Sequence, residues 1–337
     1  MKKILVTGGA GFIGSHTVVE LHAAGFDPVI VDNLSNSSVS VLDGLQKITG
    51  KNFTFYQEDC NSEYALNSIF EKEGNIEGVI HFAADKAVGE SVLFPLKYYR
   101  NNVGSLVTLL TAMQKYGVRD LVFSSSCTVY GEPDQLPVTE LSPVKPANSP
   151  YGFTKQVCEQ AITDFCAADK DFSAALLRYF NPIGAHPSAL IGELPIGAPN
   201  NLVPFITQTA AGLRDQLTVY GNDYNTPDGT CIRDYIHVVD LAKAHVSSLN
   251  ALFSSASQGA TVLNVGTGKG NSVLEVIHTF EEVTGQKLNY KLGPKRPGDV
   301  EKVYADPARI KEILGWDARL TLADALRDAW KWQCSLR

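Results

Sequence analysis

The run "KILVTGGAGFIGSH", residues 3–16, limits the fold more than any other stretch of the chain. A β-branched, leucine-containing segment feeds directly into Gly8-x-x-Gly11-x-x-Gly14, and a helical pattern follows. Glycines so placed allow a tight turn, close approach of backbone to a pyrophosphate, and close packing of helix on strand. The helix N-terminus then offers amide donors and positive potential. A glycine triplet alone says little, but strand, loop and helix in this order give it a mechanism. The rhythm continues: "PVIVDN", "FTFYQED", "GVIHFAA", "DLVFSSS" and "SAALLRYFN" read as buried strands with room for helices between them. That alternation predicts a Rossmann-type α/β fold with a doubly wound parallel sheet. After residue 181 the texture changes, starting with the Pro-, Gly- and Asn-rich "NPIGAHPSALIGELPIGAPNN". Residues 1–180 are therefore expected to bind a dinucleotide, and residues 181–337 to form a smaller mixed α/β lobe for the substrate.

Asp32 closes the second strand, eighteen residues beyond Gly14. A carboxylate there can accept hydrogen bonds from an adenosine ribose diol and would repel a 2′-phosphate. No Lys or Arg occurs between Asn33 and Gln46, so NAD is favoured over NADP. Asp59, ending the third strand, is placed to meet the adenine amino group or, equally, to be a solvated strand-end carboxylate. The net charge of −7 argues against nucleic acid or an anionic membrane as the main partner. No apolar run is long enough to span a bilayer, and glycines interrupt the N-terminal stretch that could pass for a signal peptide. Six cysteines (Cys60, Cys127, Cys158, Cys166, Cys231 and Cys334) show no CxxC and no Cys/His cluster. They suit a reducing cytosol, read as small buried hydrophobes, and offer no zinc site.

"SPYGFTKQ" sets Tyr151 and Lys155 four positions apart, hence on one face of a helix. A free phenol has a pKa of about 10 and is a poor base at neutral pH. A neighbouring ammonium, and the positive nicotinamide ring of NAD, both favour the phenolate. Ser126 in "FSSSCTVYG" ends a strand at the edge of the sheet where α/β active sites gather, completing a Ser/Tyr/Lys set.

The fingerprint TGxxGxxG, the acid after the second strand, the strand-end serine and YxxxK resemble the extended short-chain dehydrogenase/reductases. "HFAADKAVGESV", "YYRNNV", "FSSSCTVYG", "LLRYFNPIGAHPS", "PNNLVPFI", "YGNDYNTPDGTCIRDYIHV" and "RPGDVEKVYAD" are similar to the UDP-hexose 4-epimerases among them, and span nearly the whole chain in order. The resemblance implies that Gly8, Gly11, Phe12, Ile13 and Gly14 hold the pyrophosphate of NAD. Asp32, Asn33 and Asn36 would serve the adenosine ribose, and Asp59 with Cys60 the adenine. Phe82, Ala83, Lys86, Asn101, Ser124 and Tyr179 would line the rest of the cofactor site, together with Tyr151 and Lys155. It further implies UDP-sugar contacts from Asn181, Asn201, Leu202, Thr218, Tyr220, Arg233, Arg296 and Asp299, alongside Lys86, Ser126 and Tyr151. The residue types suit these roles, since arginines present planar forks to a diphosphate and Tyr220 a flat face to uracil.

The implied reaction has Tyr151 remove the 4-hydroxyl proton, with Ser126 bridging, while hydride passes from C4 to NAD. The 4-keto sugar turns over and takes the hydride back on its other face. A homodimer in the cytosol is implied, paired through helices near residues 96–115 and 150–167. Four positions after Asp299, Val303 would wall the pocket where a 2-N-acetyl group lies. A small residue there implies turnover of UDP-GalNAc and UDP-GlcNAc as well, and a one-residue slip would put Tyr304 in its place. Two positions depart from the family pattern: Asp85, where the stretch commonly reads Ala-Gly-Leu-Lys, and Cys127, after the serine. A sugar-nucleotide 4,6-dehydratase would need an Asp-Glu pair where Cys127 and Thr128 stand. Other nucleotide-sugar enzymes of this kind are alternatives. So is a non-catalytic NAD-binding protein, which would be expected to lose the serine or YxxxK.

Overall fold

The computed structural model describes residues 1–254, 259–296 and 299–336. The chain groups into two compact units: Met1–Gly131, Pro143–Tyr179 and Ala242–Leu263 form one, and Glu132–Ser142, Phe180–Leu241 and Asn264–Arg337 the other.

In the first unit, β1 (Lys3–Thr7), β2 (Asp27–Val31), β3 (Thr54–Tyr56), β4 (Ile76–His81), β5 (Asp120–Ser126) and β6 (Ser173–Tyr179) are the six runs read from the sequence. They pair in parallel in the order β3-β2-β1-β4-β5-β6. A seventh strand, Gly259–Val265, joins beside β6, although it lies within the irregular second half of the sequence. Sheet order reverses direction between β1 and β4, where doubly wound sheets bind ligands at the carboxyl ends of their strands. The strands are apolar on both faces because helices cover both, as parallel sheets require. Leu5, Val79, Leu121, Phe123 and Leu176 make the centre of one core.

The second unit is built from short pieces. Ile232–His237 is its central strand, flanked by Gly270–Ser272 and Lys302–Val303 and also paired with Asn181–Ile183. Leu217–Tyr220 and Tyr290–Gly293 form a separate parallel pair. A second core, including Val203, Ile206, Phe280 and Leu326, packs helices against these strands. The C-terminal helix Leu322–Ser335 starts at a reciprocal cap in which Thr321 and Asp324 satisfy each other's backbone amides. Among the described residues no helix is long and apolar enough to cross a membrane, and the cysteines are all free.

Candidate active site

β1 turns at Gly8, whose φ of +69° favours glycine. A Cβ there would stand 2.8 Å from the backbone nitrogen of Ala83, so the loop lies flush on the Phe82–Ala83 segment after β4. A Cβ on Gly14 would come 2.2 Å from the Gly8 carbonyl. Gly11 sits at the N-cap and the helix Phe12–Ala23 begins at Phe12 and Ile13, so the loop and the helix N-terminus form one cradle. Asp32, buried, accepts from the Ala10 amide at 3.1 Å, the Leu34 amide at 2.9 Å and the Ser37 hydroxyl at 2.8 Å, which ties it to the glycine loop. Asn33 caps the Ser35 amide, and Asn36 is exposed beside it. Cys60 is buried and feels both Asp59 and Asp32, so its thiol is pushed up to about 12, first by burial and then by the two carboxylates. Asp59 holds Asn61, and Asn61 in turn donates to Asn101 at 3.0 Å. Lys86 is exposed. Asp85 turns to Lys97 at 3.5 Å, and burial raises its pKa.

The residues expected to react lie at the ends of β5 and β6 and in the helix Pro150–Ala168. Ser149 caps the helix Pro150–Ala168 through the Gly152 amide, with Pro150 in the first turn, where its missing N–H costs nothing. Tyr151 follows at once and Lys155 one turn later. The Lys155 ammonium, 3% exposed, donates to the Ser124 carbonyl at 2.6 Å and lies 4.8 Å over the Phe123 ring. Ser124 bonds the Tyr179 hydroxyl, and Ser126 bonds the Tyr151 hydroxyl. Burial pushes Tyr151 up to about 12, against the pull of Ser126, and pulls Lys155 down to about 8. In the protein alone, burial is the largest influence on both groups and opposes the phenolate and the ammonium alike. Desolvation penalises each charged form here, and the lysine charge is directed at a carbonyl.

Asn102, buried in the π-helical turn Tyr99–Val103, holds the backbone of Asp85 by two bonds, at 2.8 and 3.0 Å, and donates to Thr154 at 3.1 Å. It joins the segment after β4 to the Tyr151 helix, and its neighbours in "YYRNNV" gave no sign that it would.

Of the residues expected to meet a UDP-sugar, Lys86, Ser126 and Tyr151 lie in the first unit and the others in the second. Asn181 starts a strand, and Asn201 sits at the N-cap position of the helix Leu202–Ala210, where its side chain donates to Glu193 at 2.6 Å and makes no capping bond. Thr218 and Tyr220 share one side of their strand, as alternation demands. The Arg296 guanidinium lies 5.8 Å over the Tyr220 ring and forks onto Asp299 at 2.8 and 3.2 Å. Arg233 is register partner of Val303, so those two side chains face the same way. Tyr304 instead packs where Gly270 leaves room for it. Beside Arg233, the wholly buried Asp234 accepts from the Thr267, Gly268 and Ala305 amides at 2.9–3.1 Å, which fixes the strand that carries both. Tyr224 and Tyr235, not singled out in the sequence, lie close enough to Arg233 and Asp299 to feel their charge.

The chain matches the family model described as GDP-mannose 4,6 dehydratase over residues 5–329. It is 54% identical over 331 residues to the UDP-glucose 4-epimerase of Dictyostelium discoideum, covering 98% of this chain and 95% of that one. The chain belongs to the UDP-glucose 4-epimerase family. The crystal structure of the Stenotrophomonas maltophila UDP-glucose-4-epimerase, with bound NAD and formylated UDP-arabinopyranose, superposes with a TM-score of 0.96 at 48% identity, covering 100% of this chain and 99% of that one. The Bifidobacterium longum enzyme in complex with NAD+ and UDP gives 0.95 at 47% identity, covering 99% and 98%.

Proposed function

We propose that this chain inverts C4 of UDP-hexoses, interconverting UDP-galactose and UDP-glucose with NAD as a tightly held cofactor that is regenerated each cycle. The observation that carries this is the Ser126–Tyr151 hydrogen bond with Lys155 one helical turn away, in the same unit as the glycine cradle. Bound NAD takes up the C4 hydride and returns it, and its ring charge favours the phenolate that burial opposes. Tyr151 takes the 4-hydroxyl proton, Ser126 shares that oxygen, and the Lys155 ammonium supports the phenolate and the nicotinamide ribose. Arg233 and Arg296 grip the diphosphate while the sugar turns. Asp32, set on the glycine loop, accepts the ribose hydroxyls and selects NAD over NADP. Cys127 and Thr128 provide no acid and base for elimination, so the reaction stops at inversion.

The finer reading extends to UDP-GalNAc and UDP-GlcNAc, with Val303 as the wall, because Val303 shares its face with Arg233 and Tyr304 does not. A homodimer is also part of the reading. Leu93, Phe94, Leu96, Val107 and Phe153 leave an apolar surface exposed on and beside the two helical segments expected to pair. The free cysteines fit a cytosolic enzyme. Incubation with UDP-galactose and UDP-GalNAc, with C4 epimers read by NMR, tests the activity. Extraction of the retained nucleotide tests the cofactor, and light scattering the dimer. Absence of UDP-glucose formation would overturn the reading.

A further inference from the structure

Beneath the reacting residues lies a charged network that the reaction scheme does not use. Glu159 and Arg178 are buried, with side chains only 9% and 6% exposed. Arg178 donates to both carboxylate oxygens, at 2.9, 3.2 and 2.5 Å, and stacks 4.7 Å from the Tyr130 ring. Ser125 donates to the same carboxylate at 2.5 Å. Glu159 is one turn beyond Lys155 on the same helix, Arg178 directly precedes Tyr179, and Ser125 stands between Ser124 and Ser126. Ser125 and Arg178 are register partners on one side of the sheet, and the next pair, Ser126 and Tyr179, faces the other.

We infer that Glu159 and Arg178 are positioning residues for catalysis: their fork, extended to Ser125, holds β5, β6 and the Tyr151 helix in the register that aligns Ser126, Tyr151, Lys155 and Tyr179. The fold has little need of such a pair. Two buried charges lose their hydration, and apolar residues of similar volume often serve stability as well or better. What apolar packing cannot supply is direction. A bidentate fork fixes distance and angle together, and one more hydrogen bond carries that constraint to the strand that bears Ser124 and Ser126. Glu159 also acts on Lys155 through its charge, in the direction that raises the lysine pKa.

The inference rests on Tyr151, Lys155 and Ser126 being the reacting set, so Tyr151→Phe is measured alongside. The test is the NAD-loaded Glu159→Met/Arg178→Met double variant, followed by melting temperature, KM for UDP-galactose and kcat. The expected result is a melting temperature close to wild type, an unchanged KM, and kcat lowered about 10- to 100-fold, the scale of a small misplacement of catalytic groups. Ser125→Ala keeps both charges paired and cuts only the link to the strand. It should lower kcat several-fold at unchanged KM, and it decides the matter if the double variant does not fold. Wild-type kcat in either folded variant, or a raised KM with kcat intact, overturns the inference. If kcat stays intact while Tyr151→Phe is still inactive, the reacting set stands and only the positioning role falls.

Discussion

Lys155, in the first unit, is 3% exposed and bonds a backbone carbonyl, whereas Arg296, in the second, has a side chain 57% exposed and folds back on Asp299. The same contrast runs through both groups of residues. Ser124 and Tyr179 are buried and bonded to each other, and Ser126 is buried and accepts from Thr128, while Tyr220 is 47% exposed and Asn201 is paired with a surface glutamate. Chemistry needs fixed, dry groups, because electrostatic effects on a developing charge weaken in water. A grip on UDP needs charges that exchange one partner for another. Arg296 rests on a carboxylate of similar geometry to a phosphate edge, so in the proposed function it would already be oriented for a diphosphate.

The sharpest way to break this contrast is at the base. Tyr151→Phe keeps the ring and loses the ionisable oxygen, so kcat should fall by about 10²–10⁴ while folding, NAD retention and KM survive. Lys155→Met should fall similarly and also loosen the nicotinamide end, read by release of NAD. Near-normal turnover in Tyr151→Phe would move the chemistry elsewhere.

Much of the first region was legible because its signals are local. The glycine loop, Asp32 and the Tyr151–Lys155 spacing lie within short stretches whose geometry follows from helix and strand periods. Glu159, Arg178 and Asn102 were not, since each acquires meaning only from a partner far off in sequence: Asn102 reaches Thr154 and Asp85 at once. The strand Gly259–Val265 went unread because its apolar run sits among short irregular pieces, with nothing local to say it returns to the large sheet. In the second region the arginines look like ordinary surface charges, and only the resemblance singled them out. The lowered tyrosine pKa was expected from an adjacent charge, but burial, which sequence spacing cannot reveal, acts against it.

Within the second region Val303→Tyr should abolish turnover of UDP-GalNAc and spare UDP-galactose, since steric exclusion acts only on the larger group. Equal loss of both would show that Val303 supports the strand and does not wall the sugar. Arg296→Leu removes a charge-assisted grip made in ground and transition states alike, so KM for UDP-galactose should rise about 10- to 100-fold with kcat little changed. A kcat loss as large as that of Tyr151→Phe would erase the distinction between grip and chemistry.

The pH profile separates the regions more gently. Burial pulls Lys155 down to about 8, so below that pH its ammonium is present and above it is lost. Because the ammonium supports the phenolate, kcat should decline on the alkaline side from about pH 8, and Lys155→Met, already slow, should show no such decline. The smallest effect is at the C-terminal helix. Thr321→Ala deletes a helix cap and should cost about 1 kcal/mol of stability, seen in denaturant unfolding, with kcat and KM unmoved.

The account as a whole turns on hydride leaving and returning to the same carbon without exchange with water. UDP-galactose incubated with the purified protein in D2O, with no nucleotide added, and followed by proton NMR tests this directly. The account predicts UDP-glucose with its C4 proton retained, and none from Tyr151→Phe. Deuterium at C4 of the product, or conversion only when NAD is supplied afresh for each turnover, would contradict it.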